Sequence, residues 1–258
     1  MSNDLICHQE EAVLTLGINR PNKRNALNGM LISHLLKKLL DAKNDASIRV
    51  ILIYGVGEHF CSGADIDWMK KISTLSFQDN LDDAEQLATL LYELYTFPKP
   101  SICIAKGSTF GGGLGLLAAS DIALADATAY FQFSEIKIGL MPAIISPYIV
   151  SCMGERQAYY YFLTAKPFTS HEAHKVGLIQ EITNEDAYVF GLDLAKQLSL
   201  GPPNVQRTIK PLLNEISRKP IDSTLIKTTA HHLAKQRATT EGKEGLTAFL
   251  EKRSPIWK

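Results

Sequence analysis

The sequence predicts an α/β fold built from strand-strand-helix repeats in a spiral, followed by a helical C-terminal segment. An apolar strand, a glycine-containing loop and a helical stretch occur twice in the same order, as VILIY with GVGEHFCSGAD and as SICIA with KGSTFGGG. After about Gly177 the strands give way to helical periodicity, which Gly201-Pro202-Pro203 interrupts once. A spiral of repeats suits this pattern better than a doubly wound sheet does.

The individual elements follow from residue type and periodicity. Residues 12–18 and 50–54 are predicted strands because they are short, apolar and β-branched, and leucines at helical spacing predict a helix over 30–42. A helix over 81–94 precedes the strand at 101–105, and residues 121–140 suit a third, degenerate repeat. We expect a spiral core over residues 1–184 and a C-terminal helical segment over 185–258.

Composition excludes several classes of protein. Hydrophobic residues make up 45% of the 258, and 27 basic residues balance 27 acidic ones, so no global charge would attract nucleic acid or an anionic membrane. The four cysteines form no CxxC pair, and the N-terminus lacks the features of a signal peptide. His171 and His174 do not have the spacing of a zinc helix. We expect a cytoplasmic protein without a metal, a nucleic-acid partner or a membrane partner.

Two glycine loops, residues 60–66 and 109–116, each follow a strand. If both end at helix N-termini, their N–H groups could point at one spot and form an oxyanion hole. Alternatively, the glycines only make tight strand-to-helix turns.

A different class of function is suggested by Gly113-Leu114-Gly115-Leu116-Leu117-Ala118, which fits the dinucleotide-binding pattern G-x-G-x-x-A with the acidic Glu135 about 20 residues further on. That pattern would make the protein a dehydrogenase. Against it, KGSTF separates the strand from the first glycine of the loop, whereas the pattern requires the strand to run straight into the turn.

Five segments, taken together, resemble the successive signatures of the enoyl-CoA hydratase/isomerase (crotonase) family. They occur in family order over nearly the whole chain, as NRPNKRNALN, FCSGADIDWM, KPSICIAKGSTFGGGLGLLAASDIALA, SEIKIGLMP and FLEKRSPIW. MPAIISPYIV is most similar to bacterial methylglutaconyl-CoA hydratases. The resemblance implies a crotonase-like spiral, an acyl-CoA substrate, no separate cofactor because coenzyme A belongs to the substrate, and a homotrimer or dimer of trimers.

The resemblance also implies roles for individual residues. The N–H groups of Ala64 and Gly112 would hold the thioester oxygen, and the carbonyl of Ser62 would meet the adenine. Arg24 would lie near the CoA phosphates, and Lys252 would serve the ligand of a neighbouring subunit. Further candidate substrate-binding residues in the matching segments are Asp65, Ile66, Gly111, Gly115 and Tyr148.

Glu135 matches the family's catalytic glutamate, the group that moves the α-proton. From the residues alone, an exposed loop carboxylate paired with Lys137 is the other interpretation. General acid-base help of this kind contributes about 10²–10⁴ in rate.

One departure from the family pattern concerns Gly115, where two-glutamate hydratases carry their second glutamate. The single-glutamate pattern also occurs in 3-enoyl to 2-enoyl isomerases, and Pro147 and Tyr148 stand in a segment that is similar to theirs. We therefore expect a lyase that hydrates an enoyl-CoA with a single catalytic glutamate, with 3-methylglutaconyl-CoA or another branched 2-enoyl-CoA as substrate. An isomerase is the second hypothesis, and a non-catalytic CoA-ligand or RNA-binding relative is the third.

Overall fold

The structure, a computed structural model, describes residues 4–217 and 219–257. Its strands, in chain order, are β1 (Leu5–Glu10), β2 (Val13–Ile18), β3 (Val50–Gly55), β4 (Ser101–Ala105), β5 (Ser108–Phe110), β6 (Ile122–Asp126), β7 (Tyr130–Gln132), β8 (Phe168–Thr169) and β9 (Glu181–Thr183). Its α-helices are α1 (Gly29–Asn44), α2 (Ile66–Ile72), α3 (Phe77–Tyr95), α4 (Gly112–Ala119), α5 (Ser146–Thr164), α6 (Ser170–Lys175), α7 (Ala187–Ser199), α8 (Pro203–Ile216), α9 (Ser223–Ala238) and α10 (Thr240–Glu251).

The strands form two sheets. The larger has the order β1-β2-β3-β4-β6-β9 and is parallel except for the β1–β2 pair. The smaller has the order β5-β7-β8, with β5 and β7 parallel. Parallel neighbours require crossover connections, and between β4 and β6 the chain passes through β5 of the second sheet and α4 before it returns.

The predicted repeat is confirmed. One turn consists of β4, β5 and α4, and the next of β6, β7 and a 3₁₀ helix over Glu135–Ile138. In the second sheet, Cys61 bridges to Thr109, Thr109 pairs with Phe131, and Phe131 pairs with Phe168. Each turn therefore adds one strand to each sheet, and the helical part of each turn begins at the same end. The third turn is degenerate, as predicted, because a short 3₁₀ helix replaces the α-helix.

The larger sheet is covered on both faces. On one face the main core includes α1, α3 and α4, with Leu16, Ile53 and Cys103 fully or almost fully buried. On the other face Val50 and Leu52 pack with residues of α7. Strand side chains alternate between faces, so buried strands such as VILI carry apolar residues at consecutive positions.

The chain divides into two compact units between Ser199 and Leu200. The predicted boundary after residue 184 differs because α7 belongs to the first unit, where Gly191 approaches the Ile104 side chain closely. The second unit contains α8, α9 and α10, of which α9 and α10 pack together. In the described part of the chain, no helix has the length and apolar character needed to cross a bilayer.

Candidate active site

The first glycine loop orients the N–H of Ala64. The Leu27 N–H donates to the Gly63 carbonyl at 2.7 Å, and the Asp65 N–H donates to the Leu27 carbonyl at 2.8 Å. Backbone groups of successive residues in extended chain point to opposite sides, so the Ala64 N–H faces away from Leu27. Within the described residues it has no hydrogen-bond acceptor.

The second glycine loop presents the N–H of Gly112. Gly111 precedes α4 with φ +49°, a conformation that residues with a side chain rarely adopt. Gly112 is the first residue of α4, where N–H groups have no partner within the helix and carry the positive end of the helix dipole. A Cβ at Gly112 would lie 2.8 Å from Leu27 Cδ1, so the glycine also allows close packing.

Glu135 starts the 3₁₀ helix of the third turn and reaches towards the second glycine loop. Its Oε1 lies 3.5 Å from where a Cβ on Gly111 would stand. Its Oε2 is buried and has no hydrogen-bond partner. Burial raises the pKa of the Glu135 carboxyl, against a smaller lowering by its own backbone N–H. Glu135 forms no ion pair with Lys137 among the described residues, so the alternative interpretation as a paired loop carboxylate is wrong.

A cavity of about 480 Å³ brings the three candidate catalytic residues together. Its wall is mainly apolar, and among the described residues it includes two carboxylates and no cation. The lining comprises Ala64, Trp68, Ile72, Asn80, Asp83, Ala84, Leu87, Gly112, Glu135, Gly139, Leu140, Met141, Pro142, Ala143, Ile144 and Ile145. Two unpaired N–H donors next to a desolvated carboxyl can stabilise an oxyanion while a proton moves at the adjacent carbon.

Comparison with known proteins agrees with this chemistry. The family model "Enoyl-CoA hydratase/isomerase" matches residues 8–258. The chain is 30% identical to the 2,3-dehydroadipyl-CoA hydratase of Escherichia coli over 259 residues, covering 99% of both chains.

The chain belongs to the enoyl-CoA hydratase/isomerase family.

Other relatives span both reaction types. The 1,2-epoxyphenylacetyl-CoA isomerase of E. coli is 29% identical over 259 residues, which cover 99% of this chain and 98% of that protein. A crystal structure of a Legionella pneumophila protein, provisionally assigned as an enoyl-CoA hydratase/isomerase (crotonase), matches with a TM-score of 0.96 at 39% identity and covers 99% of both chains. The crotonase-like fold expected from sequence is therefore confirmed, and the doubly wound dehydrogenase alternative is wrong.

Asp65 has a structural environment in this enoyl-CoA hydratase/isomerase family member. Its carboxylate accepts a hydrogen bond from Arg20 at 2.6 Å and caps α2 by accepting from the N–H groups of Asp67 and Trp68. Burial alone would raise the pKa of Asp65, but the Arg20 and backbone hydrogen bonds outweigh it and lower the pKa. The side chain is used within the protein, and a contact of Asp65 with substrate stays a prediction.

Gly115, where two-glutamate hydratases carry their second glutamate, is closely packed. A Cβ there would lie 2.6 Å from Ile145 Cγ2 and 2.8 Å from Leu91 Cδ1. Gly115 is buried and does not line the cavity. The volume that a glutamate would need is therefore filled by apolar side chains, which corrects the prediction that Gly115 contributes to substrate binding.

Tyr148 lies on α5, just beyond the cavity-lining segment that ends at Ile145. Its ring packs edge-on against Tyr95 with centroids 5.4 Å apart, and burial, followed by Tyr95 and Tyr92, raises the pKa of its hydroxyl. It does not line the cavity, and its contact with substrate stays a prediction. Ile66, the first residue of α2, is 68% exposed, and its contact with substrate stays a prediction.

Ser62 and Arg24, predicted to contact the CoA portion, are not among the residues that line the catalytic cavity. The Ser62 N–H donates to the carbonyl of Arg24 at 3.0 Å, so these two residues are neighbours. Arg24 is exposed and lines a separate cavity of about 370 Å³. Lys252 is the exposed C-cap of α10 in the second unit. Their contacts with CoA remain predictions.

The sequence analysis missed Asp83, Asn80 and Trp68, which supply polar groups to the cavity wall. Asn80, Asp83 and Leu87 lie three and four residues apart on α3, so they share one face of that helix. This spacing was the only feature of the sequence that could have indicated Asn80 and Asp83 as cavity residues. Polar residues on a helix normally face solvent, so the pattern does not distinguish a cavity from a surface.

Proposed function

We propose that this protein adds water across the double bond of a 2-enoyl-CoA thioester. The observation that supports it is the buried, unpartnered Oε2 of Glu135, a residue that lines the same cavity as Ala64 and Gly112. An orphan acceptor costs about 1–3 kcal/mol. Such a cost is typical of a functional group that gains its partner only when substrate binds.

In this proposal the two N–H groups donate hydrogen bonds to the thioester oxygen and stabilise the negative charge that develops on it. As the water oxygen bonds to Cβ, one of its O–H bonds breaks and the released proton leaves to solvent, while the π electrons move towards the carbonyl and form an enolate. The protonated Glu135 carboxyl then gives its proton to Cα, and its raised pKa supports the protonated form required at this step. In the reverse direction the Glu135 carboxylate removes the α-proton.

The residues that line the cavity also indicate which kind of acyl group it can accept. The hypothesis of 3-methylglutaconyl-CoA rests on the likeness of MPAIISPYIV to methylglutaconyl-CoA hydratases, whereas Ile145 and Leu91 fill the space beside Gly115. A distal carboxylate would enter a wall that holds Glu135 and Asp83 and, among the described residues, no cation. Burying an unpaired charge costs several kcal/mol. We therefore propose an uncharged 2-enoyl chain, linear or branched.

The blocked position of Gly115 supports a second candidate, the 3-enoyl to 2-enoyl isomerase. Isomerisation needs only one base, because one carboxylate can take the proton from Cα and return it to Cγ. Glu135 could perform both transfers.

A panel of CoA esters distinguishes these proposals. Crotonyl, 3-methylcrotonyl, 3-enoyl, 2,3-dehydroadipyl and 3-methylglutaconyl esters are incubated with the protein, and products are identified by mass. A gain of one water on the uncharged 2-enoyl esters is expected, whereas an unchanged mass with new conjugated absorbance would indicate the isomerase. Glu135→Gln should lose about 10²–10⁴ in turnover and still bind ligand. Turnover like that of the wild type in this variant would refute the role of Glu135.

A further inference from the structure

We propose that Asp83 is a second catalytic carboxylate of this site, the group that orients and deprotonates the water that adds to Cβ. This inference rests on the proposed hydratase function and deepens it. The family pattern puts a second glutamate at the position of Gly115, where Ile145 and Leu91 leave no room. The structure offers a carboxylate from a different element, α3, in the same cavity as Glu135.

Hydrogen bonding holds the Asp83 carboxylate in one orientation. Trp68 Nε1 donates to Asp83 Oδ1 at 3.1 Å, and Trp68 itself lines the cavity. Asp83 Oδ2 has no hydrogen-bond partner within the described residues. One oxygen is therefore fixed by the protein while the other remains available to a water molecule.

Asp83 lacks the partners that would explain it structurally. It lies inside α3, six residues after the Phe77 that starts the helix, so it is not a cap, and it forms no ion pair among the described residues. Aspartate is a poor residue for a helix interior. Burial raises the pKa of Asp83, while the Trp68 N–H and then Lys71 lower it in part. Partial burial of this carboxyl therefore lowers the stability of the protein. Among the described residues, the Trp68 hydrogen bond and the charge of Lys71 offset part of that loss.

Asn80 provides a further polar group at the same place. Its Nδ2 donates to the carbonyls of Leu75 and Ser76, at 3.2 and 3.1 Å, which fixes the amide. Asn80 lines the cavity about one helical turn before Asp83, and its Oδ1 can accept a hydrogen bond. A water between Asn80 Oδ1 and Asp83 Oδ2 would have two acceptors on one wall of the cavity.

The proton balance of the hydration is complete with two carboxyl groups. The water oxygen bonds to Cβ as an O–H bond breaks, and that proton passes to the Asp83 carboxylate. The Cα=Cβ electrons move to the thioester oxygen, and the enolate then takes the Glu135 proton at Cα. Asp83 returns its proton to solvent and Glu135 takes one from solvent, so the net reaction is addition of one water.

Two reactions with different requirements test this assignment. Hydration of crotonyl-CoA needs both carboxylates, whereas exchange of the α-protons of butyryl-CoA in D₂O needs only Glu135 and the two N–H donors. We expect Asp83→Asn to lower hydration by about 10²–10⁴ and to leave exchange within about threefold of the wild type. Glu135→Gln should lose both reactions.

Two further variants serve as controls. Asp82→Asn removes the adjacent, exposed carboxylate of α3, which pairs with Gln78, and should leave both reactions unchanged. Trp68→Phe keeps an aromatic ring but removes the N–H donor to Asp83, so hydration should fall about tenfold with exchange retained.

Hydration of crotonyl-CoA at the wild-type rate by Asp83→Asn would overturn the assignment. Equal losses of hydration and exchange would also overturn it, because they would show a structural role. If the wild type exchanges α-protons but does not hydrate any 2-enoyl ester, the hydratase proposal itself fails, and the role of Asp83 fails with it.

Discussion

At the scale of single residues, the site combines groups whose hydrogen bonds are incomplete. Glu135 Oε2 is buried without a partner, and the Ala64 and Gly112 N–H groups have no acceptor among the described residues. Buried polar groups are normally satisfied, so such incompleteness indicates a surface shaped for a ligand. It also implies that these residues lower the stability of the empty protein.

The Glu135 carboxyl should therefore make stability depend on pH. Below its ordinary pKa of about 4.5, the group is protonated in both the folded and the unfolded chain. As pH rises, the unfolded chain ionises first, so the folded wild type loses stability until the raised folded pKa is passed. Glu135→Gln does not titrate at this position. The melting temperature of the variant minus that of the wild type should therefore increase as the pH is raised from 4 to 8.

Glu172 is a control for the same measurement, because its pKa is lowered in the folded protein, whereas that of Glu135 is raised. It accepts from the Thr169 N–H in a capping box, and this backbone hydrogen bond, with smaller contributions, lowers the pKa of its carboxyl. Glu172→Gln should therefore lose slightly more stability at pH 8 than at pH 4. A Glu135→Gln curve parallel to that of the wild type would show that the Glu135 carboxyl is not desolvated in solution.

Asp65 illustrates a residue in a site motif whose side chain serves the fold. It is almost fully buried against Arg20, whereas the nearby Lys23–Asp67 pair, with N–O distance 2.7 Å, is exposed. Asp65→Ala should cost about 3 kcal/mol of unfolding free energy, near the low end for a broken buried pair because Asp4 still contacts Arg20 at 3.2 Å. Asp67→Ala should cost less than about 1 kcal/mol. Denaturant unfolding of the two variants measures the difference, and equal costs would contradict this account.

At the scale of secondary-structure elements, α3, α4 and α5 decide what the cavity can contain. Ile145, at the start of α5, packs against Gly115 of α4, and Leu91 of α3 closes the same space. Small residues in α4 therefore permit close helix packing, and the helix face next to the cavity has no room for a carboxylate.

Gly115→Glu should consequently impair folding. Overpacking together with a buried, unpaired carboxylate should lower the unfolding free energy by about 3 kcal/mol or more. Adding Ile145→Ala should recover part of that loss, so the double-mutant cycle should show favourable coupling between the two positions. A Gly115→Glu protein as stable as the wild type would mean that Ile145 and Leu91 move aside easily, and the second-glutamate position would be accessible after all.

At the scale of the whole molecule, the second unit exposes more apolar surface than a lone chain would favour. Phe249 is 80% and Leu250 78% exposed on α10, and α8 and α9 expose Leu213 and Leu233. A surface that carries several large, exposed apolar side chains is typical of an interface. This supports the assembly into a trimer or a dimer of trimers that the family resemblance implies.

Light scattering should therefore give a mass of three or six times 28.5 kDa. Phe249→Glu should shift the mass towards that of the single chain, because a charge would be buried in the contact. Phe77→Glu, which changes an equally exposed phenylalanine of the first unit, should not. A strictly monomeric wild type at micromolar concentration would refute the assembly.

The sequence alone determined the repeat and the glycine loops, whereas the role of Glu135 was implied by the family resemblance and stays a proposal. Apolar strands, positive-φ glycines and turn positions are local properties. The residue types of VILIY, SICIA and Gly111 are therefore enough to predict their backbone conformation. The predicted strand at residues 101–105 has the same bounds in the structure, whereas the predicted helix over 81–94 begins at Phe77. The difference arises from Ser76, whose side chain caps that helix.

Only the tertiary structure decided which side chains reach the cavity. Asp83 and Asp82 are adjacent aspartates of one helix, yet Asp83 lines the cavity and Asp82 is exposed, because the packing of α3 fixes its rotation. The space beside Gly115 is filled by Ile145, thirty positions further on. Asp65 belongs to a site motif but faces Arg20, forty-five positions earlier. Such contacts join residues far apart in the chain, and no local pattern encodes which of them meet.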